Sequence, residues 1–306
     1  MSNSLKDLSM TRIMLLAKEK KILIPAFNIA YLPIAEPVAK ALIRTRAFGL
    51  AEIARPDYEK FGAVSLEAAA AECRKYEDRN FIRLHEDHTP VIDEDGNRVD
   101  WKSLIQKALD LNFDSVMIDG SRLSLEENIK VTKEVVQMAH AKKVAVEAEL
   151  GAVLGHEKGP LPPYEELFKT GKGFTDPEET KRFVNETGVD WLSVAVGSIH
   201  GAISGAAKDQ KKVEARLNIE HLRKLAEITG VPLVLHGGSG IKQESVLAGI
   251  QNGICKINIG TEIRQAYENA LKEKPDNIEF AQNAVEEKTV FLITDYYRIK
   301  GSADRL

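Results

Sequence analysis

Short apolar runs alternate with longer amphipathic stretches along the whole chain. The apolar runs occupy residues 22–29, 49–55, 81–88, 115–121, 144–151, 191–197, 232–238 and 254–261. Because they are apolar nearly throughout, they predict strands of a parallel sheet that is covered on both faces. The stretches between them include residues 35–45, 99–111, 124–143, 176–187, 219–229 and 241–252. Their apolar positions recur near i, i+3, i+4 and i+7, which predicts helices.

Eight strand–helix units indicate a (β/α)8 TIM barrel, and an open doubly wound sheet is the competing arrangement. Additional helices are expected at both termini, over residues 4–21 and 277–297. Two insertions, a Gly/Pro-rich segment at 152–176 and a polar one at 201–217, are long enough to be functional lids. Residues 1–306 are expected to form a single domain.

Composition narrows the classes of function. A net charge of −4 gives no electrostatic support for nucleic-acid binding, and no apolar stretch is long enough to cross a bilayer. Two cysteines are too few for a disulfide framework or a thiolate metal site. The first residues, MSNSLKDLSM, lack a basic segment followed by an apolar one, so secretion is not indicated and a cytoplasmic location is expected.

Polar side chains gather where the predicted strands end. In a barrel enzyme these ends meet at one mouth, which is the usual position of the active site. The segments are His85–His88, Asp119–Ser121, Glu147–Glu149, Gly197–Gly201, His236–Gly240 and Asn258–Thr261.

Three histidines at these ends, His88, His200 and His236, are the predicted metal ligands. A single strand-end histidine more often hydrogen-bonds locally, but three from neighbouring strands favour Zn²⁺ or a similar ion with an open coordination position. His85 is interpreted as a packed, hydrogen-bonded residue. Asp87 and His88 point to opposite faces of an extended strand, so both reach the mouth only if the strand ends between them.

Other residues at the mouth suggest further roles. Asp119 and Glu149 could be additional ligands or could orient the histidines. Glu157, in the first insertion, could be a mobile acid or base, although position alone does not separate it from a solvated glutamate. The segment Gly237–Gly240 precedes a helix predicted to start at Ile241, which favours phosphate binding over a simple tight turn.

Six motifs in order along the chain resemble the class II fructose-bisphosphate/tagatose-bisphosphate aldolase family. They are HEDH, MIDGS with a downstream ENI, VEAELG, VAVGSIHG, LHGGSG and KINIGTE, between about Pro25 and Glu262. The resemblance implies a lyase that cleaves a ketose phosphate reversibly to dihydroxyacetone phosphate and an aldehyde. It also implies a divalent metal, usually zinc, with a monovalent cation as a further candidate cofactor, and a homodimer or homotetramer.

The resemblance also assigns roles to single residues. His88, His200 and His236 match the metal ligands, and Asp119 and Glu149 match a second or alternative metal position. Asp87 matches the residue that handles the proton of the hydroxyl formed from the aldehyde carbonyl, and Glu157 matches the one that exchanges the C3 proton. The positions that match the phosphate site are Gly201, Gly237, Ser239, Asn258 and Thr261. Asn28 matches a substrate contact.

The chain departs from this family at the aldehyde end. The family usually has Gln-x-Ser near the end of strand 2, where this chain has Glu52-Ile53-Ala54, and the serine helps to hold the second phosphate. Gly260 stands where fructose-bisphosphate members often carry aspartate and tagatose-bisphosphate members carry a small residue. A substrate other than fructose 1,6-bisphosphate is therefore expected. The alternatives are a metal-dependent barrel epimerase or hydrolase, and a sugar-phosphate-binding protein without catalysis.

Overall fold

Eight parallel strands close into a barrel in the computed structural model, which describes residues 4–151, 164–198, 215–238 and 240–306. The strand order follows the chain, and β1 is hydrogen-bonded to both β2 and β8. The strands are β1 (Ile24–Asn28), β2 (Gly49–Ala54), β3 (Ile82–Pro90), β4 (Ser115–Asp119), β5 (Ala145–Leu150), β6 (Trp191–Val194), β7 (Leu233–Leu235) and β8 (Ile254–Ile259). Closure confirms the TIM barrel and excludes the doubly wound sheet, whose edge strands would be unpaired.

Helices surround the strands and extend the barrel at both ends of the chain. They are α1 (Met10–Lys20), α2 (Ala35–Thr45), α3 (Arg55–Glu59), α4 (Leu66–Arg74), α5 (Trp101–Asp110), α6 (Leu125–Ala141), α7 (Tyr164–Thr170), α8 (Pro177–Thr187), α9 (Ile219–Thr229), α10 (Gln243–Gln251), α11 (Thr261–Glu273), α12 (Ile278–Phe291) and α13 (Ser302–Arg305). A π-helix, Leu292–Tyr296, continues α12.

Small polar residues fix where several helices begin. The side chain of Ser9 accepts a hydrogen bond from the Arg12 amide at the start of α1. Ser124 and Glu127 form a reciprocal capping box at the start of α6, which satisfies two backbone donors that the helix cannot pair. These local signals, which the sequence carries, help to explain why most helices lie where the sequence pattern predicted them.

The N-terminal helix α1 covers the amino-terminal end of the barrel. Its buried face includes Ile13 and Met14, which join a core cluster with Phe48, directly before β2, and with strand residues such as Trp191 of β6. A larger apolar layer lies between the strands and the surrounding helices. Because α1 covers the amino-terminal end, the carboxyl ends of the strands are left as the place for a ligand site.

Three features differ from the sequence prediction. The short helix α3 was not predicted, and α7 lies inside the insertion predicted at 152–176. Both helices are too short to show a clear helical period. Helix α10 begins at Gln243, two residues after the predicted start at Ile241. That residues 1–306 form a single domain stays a prediction. Among the described helices, none is both long and apolar enough to span a membrane.

Ile13→Ala is expected to destabilise the protein by about 2–5 kcal/mol, because it leaves a cavity beneath the barrel. Ile13 is fully buried, whereas Leu15 on the same helix is 40% exposed. The matched control Leu15→Ala is therefore expected to cost less than about 1 kcal/mol. Urea unfolding followed by circular dichroism measures both values. Equal losses of stability in the two variants would show that the buried face of α1 does not contribute to stability by packing against the end of the barrel.

Candidate active site

A bulge in β3 brings two neighbouring side chains to the barrel mouth. The pairing of β3 with β4 shifts register between Glu86 and Thr89, and His88 has a left-handed φ of 49°. From the sequence, both side chains were expected to reach the mouth only if the strand ended between Asp87 and His88, but β3 continues to Pro90. The positive φ interrupts the usual alternation of side chains along the strand. Asp87 and His88 therefore both point to the mouth, as they would if the strand ended between them.

His88 and His236 face each other across the mouth. Their ring centroids are 4.5 Å apart. His88 Nδ1 lies 3.6 Å from Asp119 Oδ2 and 4.0 Å from Glu149 Oε2. His236 is fully buried, and its Nδ1 is 3.1 Å from Glu149 Oε2. Four strand ends, those of β3, β4, β5 and β7, therefore contribute to one cluster.

This cluster fits a divalent metal ion. Two sets of side chains, one of Asp87, His88 and His236 and the other of His88, Asp119 and Glu149, each place their donor atoms within 4.8 Å of one another. A set of imidazole nitrogens and carboxylate oxygens suits zinc and similar ions. The third predicted ligand, His200, lies outside the described residues, as do Glu157, Gly201 and Ser239.

Without a metal, both histidines hold protons. Burial opposes the charge on His88, but the carboxylates of Asp87, Asp119 and Glu149 outweigh it and raise its pKa to about 9. Burial also opposes the charge on His236, while hydrogen bonds to Glu147 and Glu149 raise its pKa to about 10. The negative charge of the cluster thus attracts either protons or a metal cation.

Asp87 is held as an anion between two asparagines. Its side chain is nearly fully buried. The Asn258 amide donates to Oδ1 at 2.8 Å, and the Asn28 amide donates to Oδ2 at 3.4 Å. Burial alone would raise the pKa of Asp87, but the positive charges of His88 and Lys256 lower it. An ionised carboxylate with fixed oxygens can accept a proton from a substrate hydroxyl.

The predicted phosphate segment has a different local structure from that expected. A Cβ at Gly238 would lie 2.6 Å from Ile257 Cδ1, so a larger residue there would have to displace the buried Ile257 side chain of β8. Gly237 has a φ of 67°, which favours glycine. The late start of α10 moves its N-terminus away from this turn. By contrast, α11 begins at Thr261 directly after β8, and its N-cap residue Gly260 has no side chain to accept from the first backbone N–H groups, which are therefore candidate donors to an anion.

The family model described as "Fructose-bisphosphate aldolase class-II" matches residues 8–305. The chain belongs to the class II fructose-bisphosphate aldolase family.

Curated members of this aldolase family match parts of the chain. A Giardia intestinalis fructose-bisphosphate aldolase is 31% identical over 84% of this chain and 79% of its own length. A Geobacillus stearothermophilus fructose-bisphosphate aldolase is 41% identical over 54% of this chain, and the match spans 53% of that enzyme. A Halalkalibacterium halodurans 6-phospho-5-dehydro-2-deoxy-D-gluconate aldolase is 40% identical over 62% of this chain and 57% of that relative.

A solved structure shares the fold over nearly its whole length. The YdjI aldolase from Escherichia coli K12 superposes with a TM-score of 0.76 at 28% identity, covering 96% of this chain and 99% of the other. The barrel and the order of its elements are therefore those of a class II aldolase.

Sequence reasoning missed the network of charged residues beneath the candidate active site. Lys256, fully buried, lies 3.0 Å from Glu147 Oε2 and donates to Asn258 Oδ1 at 2.6 Å. Glu147 in turn accepts from His236 Nε2 at 2.9 Å and from the Trp191 indole at 2.6 Å. The two-residue period of a strand was the available signal, because Lys256 shares a face with Asn258 and Glu147 with Glu149.

Burial and neighbouring charges together set the charge states of Lys256, Glu52 and His85. Although burial disfavours its charge, Glu147 and Glu52 raise the pKa of Lys256. Burial and the negative charge of Asp87 raise the pKa of Glu52 well above its usual value. Burial and Lys256 lower the pKa of His85 to about 3, so His85 is neutral. Its Nδ1 lies 2.9 Å from Ser115 Oγ, which confirms the prediction of a packed, hydrogen-bonded histidine.

Zinc binding is expected to release about two protons at pH 7, because a metal replaces the protons that His88 and His236 hold under these conditions. Zinc affinity should accordingly fall as the pH is lowered from 9 to 6. Calorimetry in buffers of different ionisation enthalpy measures the released protons. His236→Asn should release about one proton fewer. A binding enthalpy that is the same in every buffer would contradict this charge assignment.

Proposed function

We propose that this chain is a metal-dependent class II aldolase that cleaves a ketose phosphate reversibly to dihydroxyacetone phosphate and an aldehyde. The observation that carries the proposal is the ionised, doubly hydrogen-bonded Asp87 next to the pair His88 and His236. A divalent ion bound there would polarise a ketone oxygen as a Lewis acid. His88, His200 and His236 are the proposed ligands, with Asp119 and Glu149 as an alternative or second set.

The proton transfers would be carried out by two carboxylates. In the cleavage direction, Asp87 would accept the proton of the hydroxyl group that becomes the aldehyde carbonyl. In the condensation direction, it would return this proton to the hydroxyl that forms from that carbonyl. The amides of Asn28 and Asn258 keep both oxygens of Asp87 aimed into the mouth. Glu157 is proposed to exchange the C3 proton of dihydroxyacetone phosphate.

The ketone phosphate would bind where β7 and β8 end. The proposed contacts are Gly201, Gly237, Ser239, Asn258 and Thr261, with the first N–H groups of α11 as candidate anion donors. Asn28 is proposed to contact the substrate as well, since its amide lies beside Asp87.

The aldehyde end of the mouth carries no free positive charge among the described residues of α3. Arg55 is the one basic side chain in this helix, and its Nε donates to Glu59 at 2.6 Å. Its Nη1 lies 3.8 Å from Asp93 Oδ2, so a second carboxylate faces it. Glu52, at the position where the family usually has glutamine, is fully buried. These contacts support an aldehyde without a phosphate.

Gly260 belongs to the same end of the site. A Cβ at residue 260 would lie 2.9 Å from Asn28 Oδ1, so the Asn28 side chain occupies the space that a larger residue would need. A small residue at this position supports contacts to the substrate hydroxyls like those of tagatose-bisphosphate members of the family, rather than those of fructose-1,6-bisphosphate members.

Asp87→Asn is expected to lower kcat about 10²–10⁴-fold, because the amide cannot accept the hydroxyl proton. Release of dihydroxyacetone phosphate from a ketose phosphate is the assay. The matched control Glu126→Gln changes an exposed carboxylate on α6 and should leave kcat unchanged. Unaltered turnover of the zinc-loaded Asp87→Asn variant would show that another group performs this step.

A panel of ketose 1-phosphates and ketose 1,6-bisphosphates, in fructose and tagatose configurations, tests the substrate. We expect kcat/KM to be at least about tenfold higher for a monophosphate, a difference of about 1.4 kcal/mol in transition-state stabilisation. Restoring the family pattern with Glu52→Gln and Ala54→Ser should raise the relative rate on bisphosphates. A wild-type preference for a bisphosphate would contradict the assignment of the aldehyde end.

The same panel tests the reaction class. Removal of zinc by a chelator should abolish cleavage, and added zinc should restore it. Cleavage that survives complete removal of metal would contradict the metal role. A product with an intact carbon chain would instead identify an epimerase.

A further inference from the structure

Asp57, a residue of the short helix α3, lies beside the candidate active site. Its side chain is 5% exposed. Its Oδ2 accepts two hydrogen bonds, from the Ala54 backbone N–H at 2.8 Å and from Asn28 Nδ2 at 3.3 Å. No motif of the sequence pointed to this residue.

The Asn28 amide is shared between two carboxylates. The same Nδ2 that donates to Asp57 also donates to Asp87 Oδ2 at 3.4 Å. On the opposite side of the amide, Asn28 Oδ1 lies next to Gly260, at 2.9 Å from the position of a Cβ there. An amide NH₂ group has two protons, so both carboxylates can be satisfied only when the group lies between them.

The backbone around Asp57 is fixed relative to β1. The Ala63 N–H donates to the Asp57 carbonyl at 3.1 Å, and the Gly62 N–H donates to the Ala30 carbonyl at 2.8 Å. A Cβ at Gly62 would lie 2.4 Å from Tyr31 Cδ1, so this turn packs directly on the chain that follows β1. The Asp57 carboxylate therefore has a defined position from which to orient Asn28.

Helix capping alone is the competing explanation, since the bond to Ala54 resembles half of a capping box. Capping does not require a buried carboxylate, however, as the exposed Asp100 at the start of α5 shows. Burial raises the pKa of Asp57 to about 7, and the charged groups that act on it are Asp87 on β3 and Arg264 on α11. A buried carboxyl that costs free energy to ionise is better explained by its second bond, to Asn28.

We propose that Asp57 is a positioning residue that holds the Asn28 amide against Asp87, and so sets the geometry in which Asp87 takes up the substrate's hydroxyl proton. The effect on turnover rests on the aldolase function proposed above. Asp57 acts through Asn28 and is not itself assigned a contact with the reacting atoms.

A double-mutant cycle between Asp57→Ala and Asn28→Ala tests this proposal. Asp57→Ala should lower kcat about tenfold or more and change KM less than about threefold. In the Asn28→Ala background the same change should cost nothing further, because the group that Asp57 orients is already gone. The unfolding midpoints of the four proteins should also be non-additive, and this readout needs no turnover. Additive effects, or full kcat in Asp57→Ala, would overturn the proposal.

Asp57→Glu separates positioning from capping if the alanine variant fails to fold. Glutamate is the usual capping-box residue at this position of a helix, so the cap is kept. The additional methylene displaces the carboxylate from Asn28, and kcat should fall about tenfold in a variant that still folds cooperatively. Wild-type kcat in this variant would overturn the proposal.

Asp190→Ala is the matched control at the opposite end of the barrel. Asp190 is also a nearly buried carboxylate that accepts a backbone N–H, that of Val146 at 2.8 Å. The control should lower the unfolding midpoint without changing kcat. A wild-type protein that cleaves none of the ketose phosphates would contradict the aldolase function, whereas the unfolding cycle would still report the bond between Asp57 and Asn28.

Discussion

One buried ammonium group, that of Lys256, connects the parts of this site. It forms an ion pair with Glu147 and donates to Asn258, and both partners extend to the mouth: Glu147 bonds His236, and Asn258 bonds Asp87. A charge in the barrel interior is tolerated only when opposite charges and hydrogen bonds surround it. Lys256 therefore holds Glu147 and Asn258 in place, and through them His236 of the candidate metal-binding group and Asp87.

The chemistry of the mouth also depends on a local irregularity of the backbone. A regular strand would turn Asp87 and His88 to opposite sides, and only one of them could face the barrel axis. The left-handed φ of His88 brings both to the site. A non-glycine residue in this region is uncommon and carries some strain, which the surrounding contacts must offset. The ring of His236 and the carboxylates of Asp119 and Glu149 supply such contacts.

The two ends of the mouth differ in charge, and this difference bears on substrate choice. At the β8 end, the start of α11 presents backbone donors without a side-chain cap, which suits a phosphate. At the β2 end, Arg55 is engaged by Glu59 and faces Asp93, and the acids Glu52 and Asp57 are buried. A phosphate there would meet carboxylates without an unpaired cation among the described residues of α3. This contrast in charge is the basis of the proposal that the substrate is charged at one end only.

The repeating pattern of apolar and polar residues determined the eight strands, the flanking helices and the residues at the strand ends. It did so because strand and helix periods are local properties of the chain. The start of α10 after the glycine-rich turn could not be read from it, since that turn packs against β8 through Gly238 and Ile257, a contact far apart in sequence. The bulge at His88 and the pairing of Lys256 with Glu147 depend on the registers of β3 with β4 and of β8 with its neighbours, and those form only when the barrel closes. The sequence thus determined which side chains reach the mouth, whereas the closed barrel decided their partners and charge states, because burial and long-range contacts set both.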